Sequence, residues 1–350
     1  MPTGTLQPSL RKQHLSQLFN QRPRLTLSAL AVLFVVITPL SAQDCPECVA
    51  GSRSEDGTWL FKKEVNEVNV LFTARHRGKL IGDLTRDDIS IEDNESQPAA
   101  ITRFLTQQEL PLRIALVVDT SGSIQSRFRF EQAAAIAFLR QVIRGPENLG
   151  FVMGFAQSPV VTQDFTSDPE QLSRGVASLS FGDTTALFDA VRFASQKLLN
   201  RSEPGPVARI LVVLSDGKDN ASRASLQEAI NDALQSEVMI YTIGTNPQAP
   251  YGSFNSHKES DTILKSLAEQ TGGQAMFPGS AKEVGQAFAK LRDELRCRYS
   301  VSYQPANFVP DGRFRRIKIS ARSRGKKLSV RARPGYFAEL RTPALASNSY

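Results

Sequence analysis

Three short segments of this 350-residue chain carry hard oxygen donors at spacings that suit a cation. The first is Asp119-Thr120-Ser121-Gly122-Ser123, directly after an unbroken apolar run over 114–118. The second is Gly182-Asp183-Thr184-Thr185-Ala186-Leu187, which opens a helical pattern, and the third is Ser215-Asp216-Gly217, directly after the apolar run 210–214. Asp119 closes a strand, and Ser121 and Ser123, two apart on a tight turn, can point into one cavity. Gly122 lets the backbone pass close to whatever they hold. Thr185 adds a neutral oxygen, for which Thr184 could substitute, and Asp216 adds a second carboxylate. Two carboxylates and three hydroxyls suit Mg²⁺ first, with Mn²⁺ or Ca²⁺ as alternatives. Because three ligands are neutral, the ion keeps positive charge, and an open position would attract an anionic oxygen such as a partner's Asp or Glu. A lone Asp-x-Ser-x-Ser can equally cap a helix; the coincidence with Thr185 and Asp216 favours the metal. Three histidines (His14, His76, His257) are too few for a His-rich zinc centre.

Those loops need a frame that brings strand ends together. From 113 to about 296, apolar strand-like runs alternate with helical patterns: strands at 114–118, 149–155, 210–214, 238–243 and 274–277, helices at 128–143, 187–199, 226–234, 262–269 and 283–295. Such alternation predicts an α/β fold, a doubly wound and mostly parallel sheet whose sites lie at the carboxyl ends of the strands. Period-two strands flank it on both sides, around 68–73, 89–91 and 100–104 before it and 299–303, 314–321 and 328–332 after it. Thr85 is expected to cap a short turn at Arg86-Asp87-Asp88. The expected organisation is an export segment over 1–42, a linker over 43–64, an N-terminal β segment over 65–110, the α/β domain over 111–296, a C-terminal β segment over 297–338 and a tail over 339–350. The α/β unit reads as an insertion between two β segments that could pair into one sandwich.

The residues Asp119-x-Ser121-x-Ser123 with Thr185 and Asp216 resemble the metal-ion-dependent adhesion site of von Willebrand factor type A domains. Leu84-Thr85-Arg86-Asp87-Asp88, Tyr299-Ser300-Val301-Ser302-Tyr303-Gln304-Pro305 and Arg331-Ala332-Arg333-Pro334-Gly335-Tyr336 are similar to the lead-in and closing sections of the bacterial VWFA-related family. The resemblance implies a Rossmann-like fold, an exported location and a divalent ion through which a protein partner is bound. In one place the chain departs from the family, whose second loop usually reads Gly-Gly-Thr-Ala-Leu. Asp183 stands there instead, adding a negative charge near the ion.

Export is also legible in the residues. Arg11, Lys12, Arg22 and Arg24 precede an uncharged apolar run over 25–42, the pattern of an export signal or, uncut, of a membrane anchor. The expected location is periplasmic, cell-envelope or extracellular. Removing that segment takes the net charge from +7 to +3, with 38 basic against 35 acidic residues. Ten basic residues and no acidic one then fall within 313–333, expected as the solvated face of a hairpin, with weak contact to anionic surfaces as the lesser reading. Export and the lack of interleaved aromatics argue against nucleic acid. An oxidising compartment would let Cys45 and Cys48 pair with each other, or one of them with Cys297. The polar stretch 245–260, read as a long loop on the ion's rim, makes Tyr251, Phe254 and His257 candidates for partner contact, along with Asp183. Two rival functions stand beside adhesion. One is Mg²⁺-dependent phosphoryl transfer with Asp119 as nucleophile, disfavoured because Ser121 stands where the haloacid-dehalogenase class has its second Asp, and no phosphate loop is present. The other is a structural envelope component with a fold-stabilising ion.

Overall fold

The computed structural model describes residues 51–53, 59–61, 67–122, 128–245 and 254–339. The expected export segment, Cys45 and Cys48 lie outside them. The chain divides at Lys63 into two units. In the first, strands β1 (Gly51–Arg53) and β2 (Trp59–Phe61) pair antiparallel, within the stretch expected as a linker.

The second unit begins with β3 (Val68–His76), β4 (Lys79–Leu80), a 3₁₀ turn (Arg86–Asp88), β5 (Ile89–Asp93) and β6 (Ala100–Thr106). There follow β7 (Leu112–Asp119), α1 (Phe128–Val142), β8 (Leu149–Phe155), β9 (Pro159–Thr166), α2 (Pro169–Ala177) and α3 (Leu187–Leu199). Next come β10 (Ala208–Ser215), α4 (Leu226–Gln235), β11 (Val238–Gly244), α5 (Phe254–Gln270), β12 (Ala275–Met276) and α6 (Ala281–Leu295). The chain closes with β13 (Arg298–Gln304), β14 (Phe314–Ser323), β15 (Lys326–Lys327), β16 (Ser329–Ala332) and β17 (Gly335–Phe337).

β7 to β12 form one six-stranded sheet in the order β12-β11-β10-β7-β8-β9, parallel except for β9 at one edge. Each strand of its middle is apolar on both faces because both are covered. Ile114, Leu116 and Val118 of β7 pack with α1, α2 and α6, while Ala115 and Val117 pack with α3, α4 and α5. The order reverses between β7 and β10, and the carboxyl ends of those two neighbours make the crevice where such sheets bind ligands. Among the described residues no helix is long and apolar enough to cross a membrane.

The flanking strands belong to one sandwich. β13, from the C-terminal flank, lies between β3 and β6, both from the N-terminal flank, and β16 pairs with the outer edge of β3. In the facing sheet β14 pairs with β5 and β17. Neither flank could build these sheets alone. Phe72, Tyr299 and Val301 fill the interior, with the Phe72 and Tyr299 rings 5.2 Å apart. Tyr303 and Tyr336 each donate a hydroxyl to Asp93 Oδ2 at 3.0 Å. Leu71 and Leu105, on the other face of the β3–β6 sheet, pack into the α/β core. That double cover explains why β13 is buried along nearly its whole length although its sequence alternates Tyr and Ser.

Several expectations change. β9, α2 and β17 were not expected. α2 carries a plain signal in Asp168, whose carboxylate caps Glu170 N–H at 2.8 Å, followed by Pro169 in the first turn. At the 3₁₀ turn Thr85 is the cap residue of a reciprocal capping box with Asp88, whose carboxylate reaches back to accept from both the Thr85 N–H and Oγ1 at 2.8 Å. That contact lowers the Asp88 pKa. The stretch 245–260 is not all loop. α5 starts at Phe254, eight residues earlier than the apolar pattern implied, and no Pro or Gly falls within 254–270 to break it. The basic run 313–333 is not wholly a solvent face. Arg333 is buried against Glu237 at 3.3 Å, Arg331 turns in to Glu294, and Arg315, Lys318 and Arg324 meet Asp311, Glu92 and Asp83.

Candidate functional site

Asp119 is the last residue of β7 and is fully buried. Its Oδ1 accepts the Ser121 N–H at 2.9 Å, and its Oδ2 accepts the Ser215 hydroxyl at 2.7 Å. Asp216 follows β10 and is also buried, its Oδ1 accepting the Lys218 N–H at 3.0 Å. Burial pushes the Asp119 carboxyl up from its ordinary pKa, and the negative charge of Asp216 adds to the rise against the lowering effect of the hydrogen bonds from Ser121 and Ser215. Two carboxylates forced together out of water destabilise each other's charge, and a cation relieves both.

The three predicted loops are tied to one another. Gly182 N–H donates to Thr120 O at 3.0 Å, which joins the first loop to the second. Thr185 N–H donates to Asn220 Oδ1 at 2.8 Å, and Thr185 O accepts from the N–H groups of Asn220 and Ala221, which joins the second loop to the third. The Ser215–Asp119 bond closes the circle. α3 starts inside this circle with no cap of its own, since Ala186 offers no side-chain acceptor. Asp219 accepts from Phe188 N–H at 3.0 Å and Ser222 Oγ from Asp189 N–H at 3.1 Å, so the third loop caps the helix that the second loop opens. Asp219 thus serves as a cap of α3 supplied from the third loop.

Of the predicted ligands, Asp119, Ser121, Thr185 and Asp216 converge as buried residues at the β7–β10 crevice. Ser123 lies outside the described residues. The Thr184 hydroxyl is buried with no hydrogen-bond partner, an orphaned donor beside Thr185 that fits a site wanting further oxygen ligands. Among the described residues no three acidic, His or Cys groups converge, so a cation here would rest on two carboxylates completed by hydroxyls. That donor set fits a hard divalent ion. Asp183 is exposed on the second loop. Tyr251 is outside the described residues, and Phe254 and His257 fall in the first turn of α5. Cys297 is a half-buried free thiol whose pKa is pushed up by burial.

Sequence reasoning named Ser215 in the third loop without giving it a role, and gave Lys218 none. Their signal is the unbroken polar run Ser215-Asp216-Gly217-Lys218-Asp219-Asn220 after a buried strand, in which every polar side chain has a partner. Gly217 makes the run foldable: it has φ +80°, and a Cβ there would lie 2.5 Å from Ser260 O. Gly217→Ala is expected to cost about 1–3 kcal/mol of stability and to displace Asp216. Denaturant unfolding and ion titration of the variant would check both effects.

A family model described as the von Willebrand factor type A domain matches residues 114–290, just over half of the chain. The "UPF0353 protein" of Mycolicibacterium gilvum is 25% identical over 203 residues, and that of Mycolicibacterium paratuberculosis is 28% identical over 207. Each match covers 52% of this chain and 60% of the relative, so the chain spans well under two thirds of the curated relatives' length. Among solved structures, the von Willebrand factor type A protein from Catenulispora acidiphila aligns with a TM-score of 0.45 and 12% identity, over 73% of this chain and 76% of that one. An aerotolerance-related membrane protein from Bacteroides fragilis aligns with a TM-score of 0.41 and 16% identity, over 52% and 98%. With the match beginning at the strand that carries Asp119 and ending within α6, the chain belongs to the von Willebrand factor type A domain family.

Proposed function

We propose that this protein is an exported, non-enzymatic binding protein that holds a divalent cation, Mg²⁺ first, at the carboxyl end of β7 and β10. It engages a protein partner through an acidic side chain that completes the ion's coordination. The observation that carries this reading is the pairing of two buried carboxylates, Asp119 and Asp216, across the sheet's switch point, inside a loop circle already closed by hydrogen bonds. Asp119, Ser121, Ser123, Thr185 or Thr184, and Asp216 would hold the ion. The ion would supply a positively charged position open to an anionic oxygen. The chain's own part is to keep the ligands in place and dry: Ser215 orients Asp119, Asn220 fixes Thr185, and Gly217 returns the loop. Membership of the family supports binding over catalysis. The apolar run after Arg24 supports export.

The test uses the EDTA-stripped protein. Calorimetric titration with MgCl₂ and MnCl₂ should show one site, and capture of an acidic partner from the producing cell's envelope should be reversed by EDTA. Absence of ion binding up to millimolar concentration, or capture indifferent to EDTA, would overturn the reading. Mg²⁺-dependent phosphate-ester hydrolysis lost in Asp119→Ala would favour the enzymatic rival.

A further inference from the structure

Lys218 sits two residues after the buried Asp216 and grips it twice. Its N–H donates to Asp216 Oδ1 and its ammonium to Asp216 Oδ2, each at 3.0 Å. The positive φ of Gly217 folds the chain back so that both groups of one residue reach one carboxylate. The next two residues anchor the far side of this grip, Asp219 on Phe188 and Asn220 on Thr185. The Lys218 side chain is 53% exposed while that of Asp216 is 5% exposed, so the cation can leave for water and the carboxylate cannot.

Two buried carboxylates and one ammonium leave the crevice with a net charge near −1, whereas a divalent ion added to the three leaves it near +1. An ammonium on Asp216 Oδ2 and a divalent cation bound by the same carboxylate repel each other and compete for its lone pairs. We propose that Lys218 is a built-in competitor for the cation site, an ammonium that occupies Asp216 until a divalent ion displaces it and thereby lowers the ion's affinity. This inference rests on the reading of the crevice as a cation site. Its consequence is a site whose charge is partly compensated without the ion and that loads only above a raised threshold concentration. The displaced ammonium then stays on the rim, where it adds to the attraction for an acidic partner.

The experiment is Mn²⁺ binding to the EDTA-stripped full chain, followed by the loss of the free-ion electron paramagnetic resonance signal. Wild type is compared with Lys218→Met, which keeps the stem length without the charge, and with Lys218→Arg, which keeps the charge. Lys218→Met should bind Mn²⁺ about threefold to tenfold more tightly at low salt. Lys218→Arg should stay within about twofold of wild type, and the gap should shrink in 0.5 M NaCl as exposed charges are screened. Equal or weaker Mn²⁺ binding by Lys218→Met, with wild type binding normally, would overturn the competitor role and leave the cation site standing. Absence of Mn²⁺ binding in all three proteins would overturn the cation site itself, and the competitor with it. Circular dichroism on the same samples confirms that each variant is folded.

Discussion

Glu294→Ala is expected to cost about 3 kcal/mol of folding free energy, a large share of the roughly 5–15 kcal/mol that holds a typical domain. Glu294 lies on α6 and is 2% exposed. Its carboxylate accepts from Arg75 of β3 at 2.7 Å, Arg331 of β16 at 2.8 Å and the Tyr241 hydroxyl of β11 at 3.2 Å. One side chain thus joins the parallel sheet, its last helix and two neighbouring strands of a sandwich sheet. Removing it takes the charge partner from two guanidiniums, which keep only the neutral acceptors Gly78 O and Gln274 Oε1, and an acceptor from a buried phenol whose ionisation burial already opposes. Truncating one member of a buried pair typically costs about 3–5 kcal/mol. Arg75 and Arg331 keep 27% and 32% of their side-chain surface, so water recovers part of the loss and the lower end applies. Glu294→Gln keeps the shape and one acceptor and should cost about half as much. Urea unfolding of both variants would check the ranking, and an Ala variant within 1 kcal/mol of wild type would show that the junction does not depend on this carboxylate.

The second large effect is on ion response. Asp119→Asn should remove the stabilisation that a divalent ion gives, while leaving the ion-free protein as stable as wild type to within about 1 kcal/mol. The Asn amide oxygen can still accept from Ser121 N–H at the Oδ1 position, and its NH₂ at the Oδ2 position can donate to a Ser215 hydroxyl that turns to accept. The variant also loses a buried charge that Asp216 opposes. Ion binding at a hundredfold excess over its Kd stabilises the native state by about 2.7 kcal/mol. Melting in 5 mM MgCl₂ and in EDTA should therefore separate wild type by several degrees and leave Asp119→Asn unchanged. Equal ion responses in the two proteins would place the ion elsewhere.

The alternation of buried strands and amphipathic helices was legible because each strand of a covered parallel sheet is apolar along its whole length. β8 and α3 were expected over 149–155 and 187–199, the ranges they occupy. β9 escaped because an edge strand with one exposed flank carries a weak pattern, burying only parts of Val161 and Phe165. The start of α5 escaped because its first turns are polar, and polarity alone reads as loop. The four described ligand candidates were legible as oxygen-bearing residues at strand and helix ends.

What the sequence determined by itself was local: which residues bear the oxygens and which runs are strands. The tertiary structure decided what depends on pairs far apart in the chain. Asp119 and Ser215 are 96 residues apart, and their hydrogen bond exists only because β7 and β10 are sheet neighbours. β13 lies between β3 and β6 although the whole α/β unit separates them in the chain, and strand pairing is set by register between partners, which no single strand encodes. The same holds for charge. Arg331 and Arg333 read as solvent-facing members of a basic run, yet a partly exposed Arg331 pairs with Glu294 and a buried Arg333 with Glu237, carboxylates that lie 37 and 96 residues away in the chain.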